Sequence, residues 1–244
     1  MKTKQIIKTL LIFLLITSCK KEKVQTDNLF KYKEYVSYTT SGVISTAEQI
    51  TVNLAKEVEN WEAQQEISNE IIAIQPFVNG TIKTVNKHAF IFIPDEKLQA
   101  DKEYTVTVKL GEIYKDIPEE FEDYTFQFKT IKPSFNVQTN NLQSYSKEWQ
   151  YINGVIKSAD IISLADAKKL IKASQKGAAK NIVWNESYET SKVFEFKIDS
   201  IQRFDDDSKI TVNWNGKPIN AVQKGENEIV IPGKNNFKIV SLNV

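Results

Sequence analysis

Between Tyr35 and Thr130, apolar residues recur at every second position in short runs. Ile50, Val52 and Leu54 alternate with Thr51 and Asn53. Tyr104, Val106, Val108 and Leu110 alternate with Thr105, Thr107 and Lys109, and Tyr124, Phe126 and Phe128 alternate with Thr125, Gln127 and Lys129. Such alternation puts one face of an extended segment in a core and the other in solvent, so these runs are half-buried strands. Phe90–Ile93 is apolar on both faces, as a central strand is. Ser41-Gly42, Asn79-Gly80, Pro94-Asp95 and Ile117-Pro118 supply turns between the runs. No amphipathic helix intervenes, so the segment folds as an antiparallel sandwich. Its span is about 100 residues, the size of one immunoglobulin-like domain. Trp61 falls in a Glu- and Gln-rich stretch, Glu57–Glu70, which reads as a long inter-strand loop.

Ile131-Lys132-Pro133-Ser134 ends this pattern, because proline breaks a strand ladder and disfavours helix before it. The second half is more mixed. Trp149–Ile156 is apolar, with Gly154 placed as a bulge. One helix follows, near residues 164–175. Ser163 caps it, Asp166 suits its first turn, Leu164, Ala167, Leu170 and Ile171 keep helical spacing, and Gly177 stops it. Strands resume at Asn181–Trp184 and again at Phe194–Ile201. Ile210, Val212 and Trp214 lead into Asn215-Gly216, a hairpin signal, and Ile229–Ile231 and Phe237–Val244 complete the set. The fold class is therefore all-β: two tandem antiparallel β-sandwiches, the second with one inserted short helix. The expected units are residues 34–131 and 132–244.

The first residues read differently. Lys2, Lys4 and Lys8 precede an apolar run, Leu10–Ile16, and then Thr17-Ser18-Cys19. This order is that of a bacterial secretory signal, residues 1–18, with a lipoprotein cleavage site. The run is too short to span a bilayer, which takes about 20 apolar residues. Cleavage makes Cys19 the new N-terminus and its lipidation site, and two or more acyl chains anchor a protein stably where one does not. The bland alternative is an ordinary cleaved leader with an incidental cysteine. Residues 19–33 are the lipidated cysteine and a flexible linker, since Lys20–Asn28 has too few apolar residues to pack. Lysine at position 20, in place of the aspartate that retains some lipoproteins at an inner membrane, favours the outer membrane of the cell envelope.

Composition narrows the function. The formal charge of +1 turns slightly negative once Lys2, Lys4 and Lys8 are removed, so nothing calls for nucleic acid. Cys19 is the only cysteine, so no disulfide framework supports the exported part. Arg203 is the only arginine, which reads as codon bias. His88 is the only histidine and lacks the further ligands zinc needs, so its role is structural or solvent-facing. Asp205-Asp206-Asp207 lacks the spaced carboxylates of a calcium loop and reads as a solvated hairpin tip. Trp149, Trp184 and Trp214 lie in apolar strand context and read as core, with a sugar-stacking platform as the alternative. No phosphate loop, nucleophile–base pair or selected carboxylate pair appears, so no catalytic residue, metal site or cofactor is assigned.

Several segments of the first half carry a resemblance. They are Tyr35–Ser45, Ile50–Leu54, Ile74-Gln75-Pro76 with Gly80, Phe90–Pro94, Leu98, Tyr104 and Phe126–Thr130. Together they resemble the N-terminal macroglobulin-like domain of bacterial, Bacteroidetes-type, alpha-2-macroglobulin family lipoproteins. Lys197–Arg203 and Val230–Phe237 resemble segments that follow that domain. The resemblance implies tandem macroglobulin-like sandwiches and a non-catalytic scaffold at the membrane. Its implied partners are the lipid bilayer, further macroglobulin-like domains in a longer chain and, indirectly, a target protease enclosed by them. Family members are far longer, and those that trap covalently carry a cysteine–glutamine thioester. With Cys19 committed to lipid, this chain forms none. The alternative is a surface lipoprotein whose tandem immunoglobulin-like domains bind glycan or protein.

Overall fold

The computed structural model describes residues 26–236. The signal segment, Cys19 and the strand expected at Phe237–Val244 lie outside the described residues. The chain opens with helix α1 (Thr26–Lys31). Nine strands follow: β1 (Val36–Thr39), β2 (Gly42–Ile44), β3 (Ile50–Leu54), β4 (Glu66–Ile67), β5 (Ile72–Gln75), β6 (Gly80–Asn86), β7 (Ala89–Pro94), β8 (Glu103–Lys109) and β9 (Asp123–Thr130). A short helix α2 (Leu110–Ile113) precedes β9. The strands form two sheets, ordered β1-β3-β7-β6-β4 and β2-β9-β8-β5. The period-two residues meet between them: Ile50, Val52, Ile82 and Phe90 pack with Tyr104, Val106, Phe126 and Phe128.

The first segment of this sandwich serves both sheets. β1 pairs antiparallel with β3, and β2 pairs parallel with β9. The chain crosses over at Thr40–Gly42, where Gly42 takes φ +72, a conformation that strains any residue with a Cβ. One parallel pair thus enters an otherwise antiparallel sandwich. The linker reading is corrected at its end. Of residues 19–33, Thr26–Lys31 is helical and Tyr32 is buried. The Tyr32 ring meets Phe121 and Tyr124 edge-on, and its hydroxyl donates to the Asp123 carbonyl at 2.8 Å. Aromatic packing plus a satisfied hydroxyl holds this stretch to the domain. Within Glu57–Glu70, Trp61 is buried edge-on against Phe90, and β4 adds a short pairing.

The second half contributes β10 (Phe135–Thr139), β11 (Gln143–Ser144), β12 (Trp149–Ser163), helix α3 (Leu164–Leu170), β13 (Ile171–Gln175), β14 (Ala178–Ala179), β15 (Ile182–Trp184), β16 (Thr190–Gln202), β17 (Ser208–Asn215) and β18 (Lys224–Ile231). Its sheets run β10-β12-β16-β15, with β11 on β12, and β14-β13-β17-β18. A separate core lies between them, built on Ile152, Ile156, Phe194, Phe196, Ile198, Ile210 and Val212. The described residues are mostly β, with several antiparallel sheets and three short α-helices among them.

Four local expectations are corrected. The helix near 164–175 ends at Leu170. Ser163 does cap it, accepting from the Asp166 amide at 3.0 Å, but Ile171–Gln175 is strand β13, paired with β17. Ile171, Ala173 and Gln175 also alternate, and pairing across the sheet outweighs local helical spacing. Gly177 is no helix stop: with Lys176 it forms a two-residue hairpin loop in which both have positive φ. Gly154 is not a bulge. It pairs in register with Phe196, and a Cβ there would lie 2.3 Å from the Phe196 ring and 2.7 Å from the Gln138 carbonyl. The irregularities of β12 fall on either side, at Gln150/Ile152 and Lys157/Ile162. Asn215-Gly216 does not close a tight hairpin either. β17 and β18 are joined through residues 216–223, which hold a short turn at Lys217–Ile219.

Candidate functional site

The junction of the two sandwiches is built by the second irregularity of β12. Between Lys157 and Ile162 this strand leaves its register with β16, and the freed stretch carries Asp160. Its carboxylate is buried, at 7% exposure, against the loop after β2. Oδ2 accepts from the Thr46 amide at 2.8 Å and the Thr46 hydroxyl at 2.7 Å. Oδ1 accepts from the Ser45 hydroxyl at 2.5 Å and from its own neighbour's amide, Ile161, at 2.8 Å. Burial pushes this carboxyl upward, but the four donors outweigh it and hold Asp160 below the usual carboxylate range. Lys97 adds a bond from Nζ to the Ile161 carbonyl at 3.2 Å. The connecting strip is held at both ends. The Ile131 amide donates to the Ile44 carbonyl, and the Ala159 amide to the Ser134 carbonyl, both at 2.9 Å. A cleft of about 340 Å³ remains beside this contact, lined by Leu98, Ile131, Pro133, Ile162, Asp166 and Ile219 among others.

A second polar cluster sits where β18 ends. Arg203 Nε donates to the Pro232 carbonyl at 2.8 Å, and its Nη2 donates to the carbonyls of Gly233 and Asn236 at 3.0 and 3.1 Å. Asp207 accepts from the Gly233 amide at 2.8 Å and the Asn236 carboxamide at 2.6 Å. The Asp205–Asp207 triplet is thus more than a solvated tip, since Asp207 fixes the backbone opposite it. Reading Arg203 as codon bias missed its role. The signal available was its singularity among the basic residues. Asp160 was missed too, although a charge inside the apolar stretch Ala159–Ile162 asks for a partner.

The other singled-out residues stay apart. His88 is half-exposed, 3.5 Å from Glu57, in the turn between β6 and β7. Among the described residues, no three His, Cys, Asp or Glu side chains are grouped to hold a metal ion. Trp184 and Trp214 pack at the margin of the second core, as read from their strand context. Trp149 does not: it is 45% exposed, on the outward side of the alternation in which its neighbours Gln150 and Ile152 are buried. Acrylamide is expected to quench Trp149 strongly and the buried Trp61 weakly. In Trp149→Phe, most of the quenchable emission should disappear, and retention of it would refute this assignment.

The outer face of the sheet β10-β12-β16-β15 holds a further feature. Tyr145 stacks on Tyr151, with centroids 4.4 Å apart and planes 28° apart. Beside it is a recess of about 400 Å³, bordered by Asn140, Asn153, Trp184, Asn185, Glu195 and Lys197.

Among the described residues, no helix is long and apolar enough to cross a membrane. No curated protein matches the sequence. Among solved structures, L,D-transpeptidase 3 of Mycobacterium tuberculosis is similar at 14% identity and a TM-score of 0.29, with 50% of this chain and 45% of that chain covered. Another L,D-transpeptidase of Mycobacterium tuberculosis H37Rv is similar at 12% identity and a TM-score of 0.30, covering 64% of this chain and 61% of that one. This chain therefore spans less than two thirds of either enzyme chain. A chimeric titin Z1Z2 is similar at 11% identity and a TM-score of 0.31, over 80% of this chain and 95% of that chain. Residues 35–130, the span that runs from the approach to β1 through β9, match the family of bacterial immunoglobulin-like domains.

Proposed function

We propose that this chain is a non-catalytic scaffold, the front module of an alpha-2-macroglobulin-type protease inhibitor, tethered to the outer membrane through acylated Cys19. The observation that carries the reading is the Asp160 junction. Three hydrogen bonds from Ser45 and Thr46 to one buried carboxylate join two sandwiches that a free linker would leave mobile. Enclosing a protease is a mechanical task, and a stiff lead suits it: it sets where the following domains start relative to the membrane. The resemblance of Tyr35–Thr130 and of Val230–Phe237 to such lipoproteins supports the same reading. Bacterial immunoglobulin-like domains also occur in cell-surface proteins.

The test is the size and location of the native protein, by immunoblot of cell fractions with antibody to residues 34–244. The expected band is in membranes and several times larger than the 28.0 kDa of this sequence. Cys19→Ala is expected to move it to the soluble envelope fraction. A membrane band slightly below 28.0 kDa would overturn the inhibitor reading and leave a stand-alone surface binding module. A membrane band unmoved by Cys19→Ala would overturn the lipid tether.

A further inference from the structure

We infer that the outer face of the sheet β10-β12-β16-β15 carries a binding site for a neutral oligosaccharide, formed by the Tyr145 ring and the amide-lined recess beside it. The proposal is independent of the inhibitor reading, and its test shares no outcome with that one.

Three features converge there. The first is a preset aromatic platform. Tyr145 is 55% exposed, yet its ring is held. It stacks on Tyr151, its hydroxyl accepts from Lys197 Nζ at 2.8 Å, and the same hydroxyl donates to Asp199 at 3.0 Å. A held ring loses little freedom when a sugar stacks on its open face.

The second is the chemistry of the recess. Asn153 and Lys197 are directly paired across β12 and β16, and Val183 continues the row on β15. All three therefore point out from the core that Ile152, Phe196 and Ile198 fill. Asn140, Asn185 and Glu195 complete the polar wall. The carboxamides of Asn140 and Asn153 make no hydrogen bond within the described residues, so donors and acceptors stand ready side by side. Vicinal hydroxyls, each both donor and acceptor, match such groups.

The third is charge. Glu195 and Lys197 offset each other, and Asp199 lies 3.9 Å from Lys197. A phosphate or sulfate ligand would meet two carboxylates against one ammonium, so a neutral ligand is selected. The volume of about 400 Å³ lies within the range of small-ligand sites and has room for a sugar ring.

The full chain in detergent would be titrated with cellotetraose, maltotetraose and chitotetraose at millimolar concentration, by calorimetry. Calorimetry carries the readout of occupancy, since the Trp184 ring packs on the core-facing Phe196. The expected result is saturable binding of at least one of the three. Tyr145→Ala is expected to weaken it roughly tenfold, as a lost stacking contact does. Asn153→Ala is expected to weaken it comparably, and both variants should keep the parent melting temperature because both side chains are exposed. Absence of binding by all three glycans would overturn the proposal. So would binding unchanged in both variants.

Discussion

Asp160→Ala is expected to destabilise the chain by about 2–4 kcal/mol and to uncouple the two sandwiches. Hydrogen bonds to a charged group contribute about 1.5–3 kcal/mol, and buried donors left without an acceptor add their own cost. Four donors lose their acceptor at once: the amides of Thr46 and Ile161 and the hydroxyls of Ser45 and Thr46. In amide exchange, Thr46 should lose its protection. In thermal unfolding, a single transition should fall and separate into two. Ser45→Ala removes one donor and keeps the carboxylate satisfied, so its effect should be well under half as large. The pH dependence has a definite sign. The folded carboxyl lies below its ordinary value, so its contribution is present above the unfolded carboxylate pKa of about 3.9 and lost as pH falls through the lower folded value. The gap between the parent and Asp160→Asn should therefore be full at neutral pH and close below about pH 4. An unchanged melting temperature with one transition would show that the junction does not couple the domains.

The strands were legible because their cause is local. Ile50–Leu54, Glu103–Lys109 and Asp123–Thr130 each show in sequence the alternation that the core demands. Ambiguity arose where two periods overlap. Leu164, Ala167, Leu170 and Ile171 fit a helix, and Ile171, Ala173 and Gln175 fit a strand. The boundary between them was set by β17, which lies far along the chain. The junction was not legible for a related reason. Asp160 and Thr46 are 114 residues apart, and neither sits in a motif. The aromatic face is not legible in the sequence, because Tyr145 is flanked by Ser144 and Ser146 in a segment without periodicity. Its role depends on Tyr151 and Lys197, which only the sheet brings alongside.

Arg203→Ala is expected to cost about 1.5–3 kcal/mol, and Arg203→Lys to recover little of it. The guanidinium reaches three carbonyls of Pro232, Gly233 and Asn236 from one plane. A lysine ammonium is a point donor on a flexible stem and cannot face all three. Because the acceptors are carbonyls and not carboxylates, added salt should leave the loss nearly unchanged, which separates this effect from a surface ion pair. Hydrogen exchange should show residues 232–236 opening in the variant while β17 and β18 stay protected. Asp207→Asn tests the other jaw of the same clamp, since it weakens the acceptor for the Gly233 amide and the Asn236 carboxamide. Backbone also crowds this point: a Cβ at Gly233 would lie 2.3 Å from the Asp205 carbonyl. Residues 232–236 are therefore held after β18, as the entry to that sandwich is held at Asp160. On the proposed scaffold role, enclosure of a protease that persists with both clamps opened would show that stiffness is not what the module supplies. On that same proposed role, loss of enclosure on opening either one, with each sandwich still folded, would make direction the quantity these two polar clusters transmit.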